Sequence, residues 1–390
     1  MKFKKLRLFC FFVFLLSFAV AIFYPNLSTF AINETVYLSN DEFDNGALFS
    51  SPLLKTTSGE SVATATGETK QIDIKLFGLI KLKTITVETF ENENMLVGGN
   101  QIGIVADANG LIVLENYPAF GLKKGDILTY IVASSRETPL YIEADLNSFL
   151  ETNNEDFKFK FVRNGKTRES KLISRGKMSG ENLGIWVKDK TSAVGILTYI
   201  NPENNNFGAL GHALTDPETG AKIDAKSGKV FRPNFGSLEK STQKHIGIMN
   251  ASINKRADGD GVLHFSGDFG VFGCLNENSA LFAETQKIYP IASRYSVKAG
   301  AATLIASLDG GAPEEYEIEI IKPKFQLKPN GKSMLVRITD PALIEKTGGI
   351  IRGMSGSPII QNGHLIGALT HAIKNDPQKG FATYIDFMLR

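Results

Sequence analysis

The sequence predicts a mainly β protein: an apolar N-terminal helix, then a small α+β module, then a larger all-β module. Three observations predict it. Glycine is abundant, at 37 of 390 residues, which favours short strands joined by tight turns. Apolar and polar residues alternate with period two in 72–77, 82–87 and 157–162. Asn362-Gly363 stands between two apolar runs, a strong hairpin signal.

The N-terminus comes first. Lys2, Lys4, Lys5 and Arg7 precede an apolar run over 8–24. Basic-then-apolar is the pattern of an export signal whose positive end stays in the cytoplasm. The run is at the short limit for a spanning helix. Ala19-Val20-Ala21 offers a small-residue cleavage site, but the run stays apolar up to Pro25, which favours an uncleaved anchor. Residues 1–25 are therefore read as a signal anchor and transmembrane segment, with the rest of the chain extracytoplasmic. Residues 26–90 are read as a linker with N-terminal strands, its 26–67 part a polar spacer.

Composition excludes several functions. The formal net charge of +2 leaves no electrostatic footprint for nucleic acid. Cys10 lies in the apolar run and Cys274 stands alone in the rest of the chain, so no disulfide framework forms. Cys274 reads as a small apolar residue of a strand over 270–275. Phosphate-loop, dinucleotide and zinc-peptidase motifs are absent, and no cofactor is expected.

Residues 91–178 form the second module. A glycine-rich stretch, Val97-Gly98-Gly99-Asn100-Gln101, runs into a strand at Ile102-Gly103-Ile104. Residues 118–122 are expected to form a short helix before a Gly125-Asp126 turn and a strand. Residues 142–150 carry apolar side chains at helical spacing. This order resembles a PDZ domain, and Gly121-Leu122-Lys123-Lys124-Gly125-Asp126-Ile127-Leu128 carries the resemblance best. The resemblance implies peptide capture by strand addition along Ile102, Gly103 and Ile104, with a ligand that can come from the chain itself. The Asn-Gly usual after the Gly-Asp strand is missing; Ile131-Val132-Ala133 stands there.

Residues 180–390 hold all five histidines. His212 lies in Gly208-Ala209-Leu210-Gly211-His212, between small and apolar residues at the end of a strand. Ser355 lies in Arg352-Gly353-Met354-Ser355-Gly356-Ser357-Pro358. A serine between glycines on a tight turn holds its hydroxyl out while backbone N–H groups converge. The N–H groups of Gly353 and Ser355 are expected to form an oxyanion hole. The turn feeds a hairpin and not a helix, which excludes an α/β-hydrolase elbow and fits the Gly-x-Ser-Gly-x-Pro turn of chymotrypsin-like double β-barrels. His212 precedes Ser355 by about 140 residues, room for two small barrels that each supply one residue. A serine hydroxyl needs an adjacent base, and the base needs a group that fixes its tautomer. Asp216, Asp224, Asp258, Asp260, Asp268, Asp309 and Asp340 are all open candidates for that acid. His371 follows the strand 365–370 and can line the cleft; His364 lies beside a turn.

The segments 183–200, 207–216 and 347–373 resemble the stage IV sporulation protein B (SpoIVB) serine peptidases, which carry a membrane segment, a PDZ domain and a C-terminal peptidase domain. The resemblance implies His212 as base, Ser355 as nucleophile and Asp340 as acid. It further implies a role in endospore formation, in the space between forespore and mother-cell membranes. The expected substrates are the chain itself and the extracytoplasmic part of a membrane protein that regulates pro-sigma-factor processing. The rival reading is a non-catalytic scaffold that recruits a membrane partner; an esterase with the same triad is a third.

Overall fold

The computed structural model describes residues 35–39, 54–64, 67–76, 78–90, 94–174, 183–255, 258–283, 287–324 and 329–389. The expected signal anchor at 1–25 lies outside these. No helix among the described residues is long and apolar enough to cross a membrane. The chain divides into two compact units, residues 1–92 with 325–329, and residues 93–324 with 330–390.

The first unit holds a four-stranded sheet of β1 (Thr35–Ser39), β2 (Leu54–Thr64), β3 (Gly67–Leu76) and β4 (Ile80–Phe90), in the order β1-β4-β3-β2. The alternating segments read from the sequence fall in β3 and β4. Their inward set, Ile72, Ile74, Ile85 and Val87, is almost fully buried. The polar stretch read as a spacer contains β1 and β2. Its Ser and Thr residues serve as strand residues because β2 pairs along its length with β3.

The second unit carries two barrels and an insertion. β5 (Asn94–Val97) leads into the long strand β6 (Gln101–Val113). The insertion follows: β7 (Ile127–Ala133), β8 (Arg136–Pro139), α1 (Glu143–Thr152), β9 (Phe157–Arg163) and β10 (Lys166–Glu169). Then come β11 (Val187–Ile200), β12 (Asn206–Ala209), β13 (Gly228–Phe231), a separate hairpin of β14 (Asn234–Glu239) and β15 (Ile248–Ser252), β16 (Gly261–Gly267) and β17 (Gly270–Leu275). After the short α2 (Ala280–Ala283), β18 (Lys287–Pro290) pairs back to β5. The strand order β6-β13-β16-β17-β12-β11 closes through a β6–β11 pairing into a six-stranded barrel. Cys274 sits in β17.

The second barrel is closed in the order β19-β20-β21-β24-β23-β22. Its elements are β19 (Gly300–Ala306), β20 (Glu314–Pro323), β21 (Met334–Ile338), α3 (Pro341–Thr347), β22 (Pro358–Gln361), β23 (His364–Ile373) and β24 (Asp376–Tyr384), followed by α4 (Ile385–Met388). Asn362 and Gly363, at φ 51° and 76°, make the left-handed turn that joins β22 to β23. Each barrel has its own core. Ile102, Ile104, Leu197, Phe207 and Leu263 fill the first; Leu304, Ile318, Val336, Ile359 and Leu369 fill the second.

The strand pairing corrects the division drawn at 178/180. β6 belongs to the first barrel. It pairs with β11 on one side, Gly103 opposite Val194, and with β13 on the other, Gly103 opposite Phe231. Asn109 and Gly110, at φ 52° and 151°, bend the strand, and beyond the bend it pairs with β7 of the insertion. The insertion starts and ends at one place: Val113 is opposite Val187, and the Trp186 carbonyl accepts from Leu114 N–H at 2.9 Å. It has a separate core, in which Phe149, Phe157 and Phe159 meet edge to face. The short helix expected at 118–122 is instead a turn closed by a Tyr117–Leu122 bridge. There Asp126 accepts from Lys123 N–H and pairs with Arg163, a local bonding scheme that fixes a turn.

The same topology corrects the peptide groove at Ile102, Gly103 and Ile104. Strand addition needs an open edge, and both edges of this stretch are taken by β11 and β13. The two isoleucine side chains are fully buried in the barrel core.

Candidate active site

A cleft of about 820 Å³ is lined by residues of both barrels, among them His212, Ser355, His371, Met249, Ile350 and Arg352. It brings together His212 and Ser355, the two residues singled out in the sequence.

His212 stands just after β12. Leu210 and Gly211 both have positive φ, 71° and 69°, and turn the chain out of the strand. A leucine in that region is strained by roughly 1–3 kcal/mol. Its side chain is held where Gly195 leaves room: a Cβ at position 195 would lie 2.1 Å from Leu210 Cδ2. The Ala213 carbonyl lies 2.8 Å from His212 Nδ1. A carbonyl only accepts, so Nδ1 carries the proton and Nε2 keeps its lone pair. Burial pushes the His212 imidazole below its ordinary pKa, outweighing the bond to Ala213. The ring is thus neutral at neutral pH, as a base must be.

Ser355 sits on a loop whose shape is set by Gly353 and Gly356, at φ 100° and 97°. The loop is braced from several sides. Arg352 exchanges backbone bonds with Gly247 and Met249, each 2.8 Å. The Gly356 N–H reaches the Leu369 carbonyl at 2.8 Å, and Thr198 Oγ1 donates to the Gly356 carbonyl at 2.8 Å. The Ser355 carbonyl accepts from Ile196 N–H at 2.8 Å, while the Ile196 carbonyl accepts from Leu210 N–H at 3.2 Å. One residue of β11 therefore holds the serine loop by its N–H and the histidine loop by its carbonyl. The Ser355 hydroxyl donates to the Thr370 carbonyl at 2.9 Å. Around it the N–H groups of Arg352, Met354, Gly356 and Ser357 all find backbone acceptors. Those of Gly353 and Ser355 find none among the described residues, so the two donors expected for the oxyanion hole remain available.

Asp340 is a correction. It is the N-cap of α3: Oδ1 accepts from Leu343 N–H at 2.9 Å, and Oδ2 accepts from Glu317 N–H at 3.2 Å. Both carboxylate oxygens are committed to backbone, and Asp340 does not line the cleft. The signal was present in the sequence, because Asp followed by Pro341 is a helix-start signature. Asp340→Ala is expected to cost about 1 kcal/mol of stability while leaving turnover near wild type; Asp340→Asn should keep both. Thermal unfolding and cleavage rates check this.

Asp216 does line the cleft, but it is tied to Lys188, Thr191 and Thr219. Burial pushes its carboxyl up, yet those partners outweigh it and hold it below its ordinary value. No carboxylate bonds His212 among the described residues. The neighbour of its ring is His371, centre to centre 5.2 Å away and tilted by 45°. His371 is pushed down to about 4 by partial burial, then by His212 and Lys332. His364 bonds the Asn362 carbonyl at 3.0 Å and serves the hairpin turn.

Residues 180–389 match the family described as SpoIVB peptidase S55. No curated protein matches the chain. Among solved structures, the Rv3671c protease of M. tuberculosis in its active form shares 13% identity, covers 51% of this chain and 73% of that chain, and gives a TM-score of 0.29.

Proposed function

From the membership of this chain in the SpoIVB peptidase S55 family, we propose that it is a serine endopeptidase of sporulation signalling that cleaves itself and the extracytoplasmic region of a membrane regulator of pro-sigma-factor processing. That the chain is a serine peptidase follows from the family; the substrates and the setting, between forespore and mother-cell membranes, are our reading. The observation that carries it is one cleft holding an Nδ1-protonated histidine, a serine and two unengaged N–H donors.

The chemistry runs as acyl transfer. The Ser355 hydroxyl turns from the Thr370 carbonyl to His212 Nε2, which takes its proton as Oγ attacks the peptide carbonyl. The Gly353 and Ser355 N–H groups receive the oxyanion. The C–N bond breaks and the leaving amine takes the proton from Nε2. Water, deprotonated by the same nitrogen, then releases the acyl group. Beyond Leu369 the cleft side of β23 pairs with no strand among the described residues, which supports binding of an extended peptide there. Ile350, Leu369 and Ala372 beside it favour an apolar side chain next to the scissile bond. The insertion is the part we propose to recruit the substrate or the N-terminal region of the chain. β8 and β10 are the strands it leaves at sheet edges.

Ser355→Ala tests the reading. The wild-type chain should fragment itself and cut a candidate ectodomain, and the variant should lower the rate by about 10⁴-fold or more. Identical behaviour of the two, with partner binding intact, would replace the peptidase by a scaffold.

Activity should also persist below pH 6.5, the ordinary histidine value. A depressed pKa keeps Nε2 unprotonated further into acid, so the acid limb of kcat/KM shifts down. Stability linked to this histidine follows the same sign. It is complete above about pH 6.5 and is lost as pH falls through the folded-state value.

A further inference from the structure

We propose that Arg352 selects the substrate: its guanidinium receives an acidic side chain within two residues of the scissile bond, so the peptides cut here carry Asp or Glu beside an apolar residue. This rests on the peptidase reading and names the substrate class of the same cleft.

The chain sets Arg352 beside the reacting carbonyl. Gly353, whose N–H is one of the two oxyanion donors, follows it directly, and Ser355 comes soon after. Neighbouring Cα atoms lie about 3.8 Å apart, close to the roughly 3.3 Å spacing of residues along an extended peptide. A side chain at this position therefore reaches the substrate residues next to the bond that is cut. Main-chain bonds fix its place without using the side chain. The Arg352 N–H donates to the Gly247 carbonyl, its carbonyl accepts from Met249 N–H, and it bridges to Ile248 at the start of β15. The side chain is exposed in the cleft. No carboxylate of the described residues forms an ion pair with it.

Charge in the cleft has one sign. Apart from the histidines, the charged groups among its described lining residues are Asp216, Lys255 and Arg352. Lys188 offsets Asp216 at 2.9 Å, and Lys255 has the same sign as Arg352. His371, pushed down to about 4 by burial and then by His212 and Lys332, adds no charge at neutral pH. Two cations remain without a balancing anion. A substrate lysine there meets like charge, whereas a carboxylate meets the planar fork of a guanidinium, which can hold both its oxygens. Seating the peptide expels water, and the attraction strengthens as the local dielectric falls. Ile350 and Leu369 line the same cleft and accept the apolar residue, so the two preferences fall on nearby positions of one extended peptide.

The test gives the full chain synthetic peptides that share a leucine at the scissile position. Each carries Glu, Gln or Lys in turn at the two positions on either side of the bond. For the best-placed residue, wild type is expected to cut the Glu peptide with kcat/KM about 10-fold above its Lys counterpart. That ratio should shrink between about 0.05 and about 0.5 M salt. Arg352→Gln should bring it near one, Arg352→Glu should invert it, and Arg352→Lys should keep its direction at a smaller size. Because the ratio compares two substrates on one protein, a loss of folded enzyme or a shifted serine loop lowers both rates and leaves the ratio in place. A wild-type ratio near one at every position, or a Glu preference that Arg352→Gln leaves intact, overturns the proposal. If the variants do not fold, salt decides: a wild-type Glu preference that high salt does not weaken overturns it as well. Equal cleavage by Ser355→Ala would sink the peptidase reading itself, an outcome separate from these.

Discussion

A chain cut to residues 180–390 is expected to be insoluble and inactive, although it contains the whole region matched to the peptidase family. It lacks β5 and β6. Ile102, Ile104, Ala106 and Ala108 of β6 are buried to within 2% of complete in the first barrel. Without β6, β11 and β13 lose their partner and the barrel opens, exposing the long edge of β11, the short edge of β13 and the core. Removing a buried isoleucine side chain alone costs roughly 2–5 kcal/mol, and a domain has only about 5–15 kcal/mol to lose. A chain that starts at residue 93 keeps β6 and should stay soluble and cleave. Comparing the two by size-exclusion chromatography and peptide cleavage decides the matter. A soluble, active 180–390 fragment would mean that the barrel closes without β6.

Gly356→Ala is expected to abolish cleavage without removing any reacting atom. Gly356 has φ 97°, where a side chain costs about 1–2 kcal/mol. A Cβ there would also lie 2.1 Å from the Ile196 carbonyl oxygen and 2.6 Å from Leu210 N. Neither can retreat freely, because the Ile196 N–H is bonded to the Ser355 carbonyl and the Ile196 carbonyl to the Leu210 N–H. Relief must come from shifting the serine loop or the histidine loop, and a misplacement of about 1 Å costs on the order of 100-fold in rate. Gly363→Ala is the control. Its φ is 76°, but a Cβ there meets nothing within 4 Å. It should lose about 1 kcal/mol by strain and keep its activity. Melting temperatures and kcat/KM for the pair separate loop displacement from strain.

The serine turn was legible because its instructions are local. Gly353, Gly356 and the Asn362-Gly363 turn each demand a backbone that few residues allow, so their spacing maps directly onto shape. His212 was legible for a similar reason, flanked by Gly211 at the end of an apolar strand. β6 was not. Its burial alternates only from Ile104 to Asn109 and is continuous at both ends, and its partners in β11 and β13 lie beyond the entire insertion. Local pattern shows that such a strand exists but not which sheet receives it, so it was assigned to its sequence neighbours. Asp340 shows the opposite failure. Its local signal, an aspartate before proline, was plain, but the resemblance carried it to a catalytic role. His371 was readable only as a residue that could reach the cleft; that it faces His212 depends on how two barrels meet.

β11 has a mechanical consequence. It leaves the insertion at Val187 and reaches Ile196, whose N–H holds the Ser355 carbonyl, without leaving the sheet. At about 3.3 Å per residue this is a rod of roughly 30 Å, interrupted by one irregularity between Lys188 and Lys190. A strand clamped between neighbours cannot slide by one residue without turning every side chain to the wrong face. A tilt keeps the register, and the irregularity near its start is the place where its pairing is already broken. A tilt of β11 at its insertion end is therefore expected to shift the Ser355 carbonyl that its far end holds.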